Sequence, residues 1–141
     1  MKSDRLKNKL LYNGAILMLL LIGINALVAG YLFIIDPTGH KMGIELSYLQ
    51  NAPFETYLIP GLILFFVIGG LSMFTTACVW KKADNHPYWI MLQSSLLSGW
   101  ILIQIILVQD FNWLHALMLL ISALLWRCAE LMLKNHASRN S

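Results

Sequence analysis

Charged residues vanish from four long stretches of this chain and crowd into the gaps between them. Leu10 to Ile35 carries no charge, and neither does Thr56 to Trp80 or Asn85 to Gln109. The fourth stretch, Phe111 to Trp126, is shorter, but its apolar pattern resumes after Arg127 and Glu130 and reaches Leu133. Arg127 and Glu130 lie three residues apart, on neighbouring faces of one turn, and the arginine stem is long enough to reach an interface. A helix crosses the roughly 30 Å hydrocarbon core with about 20 apolar residues. The pattern therefore predicts spans at residues 10–35, 56–80, 87–109 and 112–133. The runs are continuous rather than alternating, which excludes barrel strands. Inside lipid each backbone amide must pair within its own segment, which dictates helix. The expected fold is all-α, an integral membrane four-helix bundle in one domain, residues 1–141.

Between the first two spans, Asp36-Pro37-Thr38-Gly39 reads as a turn. Met42, Leu46 and Leu49 then recur at helical spacing and predict a short amphipathic segment in this first external loop. Asn51 is expected to cap the second span, with Pro53 in its first turn and a kink at Pro60-Gly61. The connections Lys81–Pro87 and Asp110–Asn112 are short, so spans two, three and four should be antiparallel neighbours. Gly23, Ala26 and Gly30 share one helix face, as do Gly61, Phe65, Gly69, Ser72 and Thr76, mostly small residues of the kind that let membrane helices approach closely.

Charge adds an orientation. Nine of the ten Lys and Arg residues fall on one side of the four spans, and Lys41 falls on the other. The positive-inside rule puts both termini and the 81–87 loop in the cytoplasm. Tyr12, Trp80, Tyr88, Trp89 and Trp126 form an inner aromatic belt in this frame, with Tyr31, Phe54, Tyr57, Phe111 and Trp113 in the outer one. The first span is expected to remain as an anchor, because it is longer than a signal core and Val28-Ala29-Gly30 is a poor cleavage site. Hydrophobic residues make up 58% of the chain and charged residues 12%. A water-soluble domain of this size has no interior large enough for that much apolar surface.

Candidate chemistry is sparse. No charge lies near the midplane of a span, which disfavours a carrier built on a central carboxylate. Cys78 and Cys128 stand alone, without zinc-type spacing or a disulfide framework. His115 is the one histidine expected inside a helix, with no partner at its depth for a haem except the loop residue His40. No cofactor, no metal and no nucleic-acid partner is expected. Polar residues that could line a ligand site or pore are Asn25, Gln93, Ser98, Trp100 and Gln104, although packing by interhelical hydrogen bonds explains them as well. Asn25 in particular is expected to find an interhelical partner. Ionisable groups expected outside are Asp36, His40, Glu45, Glu55, Asp110 and His115. Convergence of these would make a metal or hydrolytic site.

The stretch from Met42 to Gly61, with its P-F-x-x-Y-L-I-P-G element, and the later Gly99-Trp100-Ile101-Leu102-Ile103-Gln104 resemble a family of small bacterial four-helix membrane proteins without an established activity. His115 departs from the glutamine expected after Trp113-Leu114. The resemblance implies a topology and a bacterial inner membrane, and no catalytic residues.

Three functions follow from this pattern. The first is a non-enzymatic helix-packing accessory that interacts with membrane lipids, a second copy or a larger membrane complex. The second is a small oligomeric transporter or channel lined by the polar residues of spans one and three. The third is a membrane enzyme or metal protein with an external site. Any specific function is expected at the outer side.

Overall fold

The computed structural model describes all 141 residues and contains four long helices and no strand. Helix α1 is Lys2–Ile35, α2 is Leu58–Trp80, α3 is His86–Val108 and α4 is Trp113–Asn140, and each is long and apolar enough to cross a membrane. They stand in a ring in chain order, α1 against α2, α2 against α3, α3 against α4, and α4 back against α1. Both termini and the α2–α3 connection share one end of the bundle, called here the terminal end. The long α1–α2 connection marks the loop end.

Just 29 of the 141 residues are buried. Leu19, Ile68, Ile90, Leu125 and Met132 fill the centre, while Phe66, Ile106 and Trp113 are each more than 60% exposed. An exterior this apolar is stable in lipid and unstable in water. The four-span expectation is met by an exterior of this kind.

Helices α1 and α2 touch most closely, and glycine is the reason. A methyl carbon built on Gly30 would lie 2.6 Å from the backbone nitrogen of Phe65 and 2.7 Å from the carbonyl of Gly61. One on Gly61 would lie 2.6 Å from Cβ of Phe33. Backbone cannot step aside as a side chain can, so this crossing requires bare Cα atoms on both helices.

The structure corrects the expected start of span two. Helix α2 begins at Leu58, so Asn51 caps nothing and Pro53 lies in the loop. Pro60 falls in the first helical turn, where its missing N–H forfeits no hydrogen bond. The irregularity lies further on: Ile63–Gly70 is wound as a π-helix. Within it the carbonyl of Ile68 accepts a side-chain bond from Gln93 at 3.2 Å.

In the long loop, the expected amphipathic segment is two short 3₁₀ turns, His40–Met42 and Leu46–Leu49. Leu49 is buried with Phe33 and Tyr57. Tyr57 organises this corner: its ring stacks on Phe33 at 4.9 Å, its amide donates to Pro37, and its hydroxyl donates to the carbonyl of Glu45 at 2.8 Å.

Helices α1 and α4 outrun their expected spans. At 1.5 Å per residue, 34 residues make α1 about 51 Å long, well beyond the roughly 30 Å apolar core. Helix α4 continues past Leu133 to Asn140. Both excess lengths project at the terminal end, side by side.

Candidate functional site

The interior polar residues close on one another. Gln93 donates from Nε2 to the hydroxyl of Ser72 and to Ile68, joining α3 to α2. Ser94 donates to the carbonyl of Ser122, Ser122 donates back to the carbonyl of Ser94 at 2.7 Å, and Ser98 shares a hydrogen bond with the Ser122 hydroxyl. That pairing joins α3 to α4. Gln93 Oε1, Thr75 Oγ1 and the indole nitrogen of Trp100 are buried without a partner. Gln104 is half-buried. Gln93 and Ser98 thus spend hydrogen bonds on holding helices together.

Asn25 is exposed on the outer face of α1, and its side chain makes no hydrogen bond within the chain. Gly23, Ala26 and Gly30 occupy the buried face. Two residues on from Gly23 is a rotation of about 200° around the helix, which turns Asn25 outward.

The external ionisable groups do not assemble. No three His, Cys, Asp or Glu side chains come together as a metal-binding group. Asp36 accepts from the Thr38 hydroxyl and from the amide of Lys41, which hold its carboxyl below the usual carboxylate range. His115 Nδ1 accepts from the Asn112 amide at 3.1 Å, serving as the back-reaching residue of an N-terminal cap on α4. His40, Glu45, Glu55 and Asp110 are exposed. His115 is also not the sole helical histidine: His86 opens α3, and His136 lies within α4.

The richest side-chain cluster is at the terminal end, opposite to the side the sequence pointed to. A cleft of about 520 Å³ is lined by Arg5, Asn8, Lys9, Tyr12 and Asn13 of α1, by Lys82 of the α2–α3 loop, and by Met132, Asn135, His136 and Arg139 of α4. The amide of Asn135 donates to Asn8 at 2.7 Å and bridges its two walls. Lys82 adopts a left-handed backbone, with φ +53°, and its ammonium lies 5.7 Å from the centre of the Tyr12 ring. Below them His86 is fully buried, its ring 5.3 Å from that of Tyr12 and 5.8 Å from that of His136. Helical spacing gave a usable signal here. Arg5, Lys9 and Tyr12 follow the i, i+4, i+7 pattern of one face, and Met132, Asn135, His136 and Arg139 follow i, i+3, i+4, i+7.

A scan against protein-family models finds no match to this chain, and searches of curated proteins and of solved structures find none either.

Proposed function

We propose that this chain is a non-enzymatic, helix-packing protein of a bacterial inner membrane, with both termini cytoplasmic, and that its working surface is the outer face of α1. The orientation rests on the nine basic residues of the terminal end against Lys41 at the other.

Asn25 carries the functional reading. An amide exposed to hydrocarbon lacks the partners that water would supply, and Asn side chains in membrane helices hydrogen-bond across to neighbours. Around it, Leu17, Leu21, Ile24, Val28, Tyr31 and Ile35 are all exposed and recur at alternating steps of four and three. That 3.5-residue period is the seam of a left-handed helix pair. The occupant is a second copy of the chain. A side-chain amide both donates and accepts, so two Asn25 groups related by a two-fold axis satisfy each other.

Cross-linking in native membranes tests the pairing. With Cys78 and Cys128 replaced by alanine, Ile24→Cys should yield a disulfide-linked dimer, and adding Asn25→Leu should reduce its yield severalfold. A chain that stays monomeric in this assay overturns the reading, and a cross-link to a different polypeptide overturns the second copy as occupant.

A further inference from the structure

We propose that the cleft between α1, the α2–α3 loop and α4 binds a phosphate-bearing anion, gripped by Arg5, Lys9, Lys82 and Arg139. The four cations converge from three separate elements, and no carboxylate lines the cleft. None of the four forms an ion pair within the chain. The chain has two ion pairs, the amino terminus with Asp4 and Arg127 with Glu130, and neither involves a cleft residue. Asp4, the nearest carboxylate in α1, lines a neighbouring cleft that shares Arg5 and Arg139. Four exposed cations around one cleft raise the local positive potential, which attracts an anion.

The shape matches that ligand chemistry. A volume of about 520 Å³ exceeds one phosphate and falls in the ordinary range of small-molecule sites. Arg5 and Arg139 offer planar forks suited to two phosphate oxygens, while Lys9 and Lys82 act as point charges. Asn8, Asn13, Asn135 and Tyr12 add neutral hydrogen-bonding groups for whatever the phosphate is attached to. Depth is informative too. The cleft opens where α1 and α4 leave their apolar stretches, near Leu10 and Leu133, the level of lipid headgroups. The phosphate is therefore that of an anionic lipid headgroup or of a soluble phosphate compound, and both use the same grip. This site shares no residue with the outer face of α1, so either proposal can fail alone.

The test uses the full chain in phosphatidylcholine nanodiscs, with native mass spectrometry after addition of phosphatidylglycerol. The wild type should retain phosphatidylglycerol in preference to phosphatidylcholine. Paired Arg5→Gln and Arg139→Gln should weaken this retention about fivefold per cation lost. Lys2→Gln with Lys81→Gln makes the same charge change outside the cleft and should leave retention unchanged. A second pair, Lys9→Gln with Lys82→Gln, guards against misfolding of the first, and helix content by circular dichroism checks each. In a parallel arm, inorganic phosphate displaces the lipid if the natural ligand is soluble and leaves it bound if the ligand is a headgroup. Equal losses in cleft and control variants overturn the proposal, as does an absence of both lipid preference and phosphate binding.

Discussion

The side-chain amide of Asn135 donates to that of Asn8 at 2.7 Å, tying the end of the last helix to the start of the first. The two residues are 127 positions apart in sequence, and their bond sits among four unpaired cations. Asn8→Asp should therefore do two things. A carboxylate at this position still accepts from Asn135 and also offsets the charge of Arg5 and Arg139, so the ligand-free protein should melt at a higher temperature. The same carboxylate should repel a phosphate, so retention of phosphatidylglycerol should fall. Thermal melts in neutral detergent, run beside the lipid-retention assay, read both effects.

Gln93 separates packing volume from hydrogen bonding. Interhelical hydrogen bonds in membranes average about 0.6 kcal/mol, whereas emptying a buried site costs about 2–5 kcal/mol. Gln93→Ala should lie in the larger range. Gln93→Leu should cost less than about 1.5 kcal/mol, since it keeps the volume and removes the unpartnered Oε1. Unfolding in sodium dodecyl sulfate measures both, and equal losses would show that the hydrogen bonds to Ser72 and Ile68 dominate.

The glycines predict opposite outcomes at different positions. Gly30→Ala drives a methyl into the backbone of Phe65 and Gly61 and should destabilise by about 1–3 kcal/mol. Gly99 is also helical, but nothing lies within 4 Å of its added methyl. Gly99→Ala should be neutral or stabilising by up to about 1 kcal/mol, because alanine has the better helix propensity. The same unfolding assay compares them.

Asp36 gives the loop end a pH dependence with a definite sign. The Thr38 hydroxyl and the Lys41 amide favour its ionised form and lower its folded pKa. A carboxyl with a depressed folded pKa contributes stability above its unfolded pKa and loses that contribution as pH falls through the folded value. Thr38→Val removes the larger contribution and should raise the Asp36 pKa toward the ordinary value. Carbon-13 NMR titration of the Asp36 carboxyl, with Asp36→Asn to assign the signal, reads the shift, and an unmoved pKa would contradict the turn geometry.

Much of the molecule is written along the chain, because crossing hydrocarbon is a one-dimensional constraint. About 20 charge-free residues and the need to close every backbone hydrogen bond decide where helices lie, whatever their neighbours do. The four helices, their short connections and the small-residue contact face of α1 follow from that, as does the exclusion of strands. The start of α2 was less legible. Asn51 and Pro53 mimic a helix opening, yet Tyr57 is recruited by Phe33 and Glu45, and that contact with α1 delays the helix to Leu58.

Tertiary structure decided what the polar residues are for. Asn25 reads as a mid-span amide in need of a partner, but which neighbours it meets depends on the side from which α2 and α4 approach α1. Arg5, Lys9, Lys82 and Arg139 read as ordinary topology signals on separate segments. They share one cleft because α1 and α4 stay helical beyond the apolar core and run side by side, a juxtaposition across more than 120 residues that no local pattern encodes. Hydropathy fixed where the chain crosses; packing fixed which charges meet.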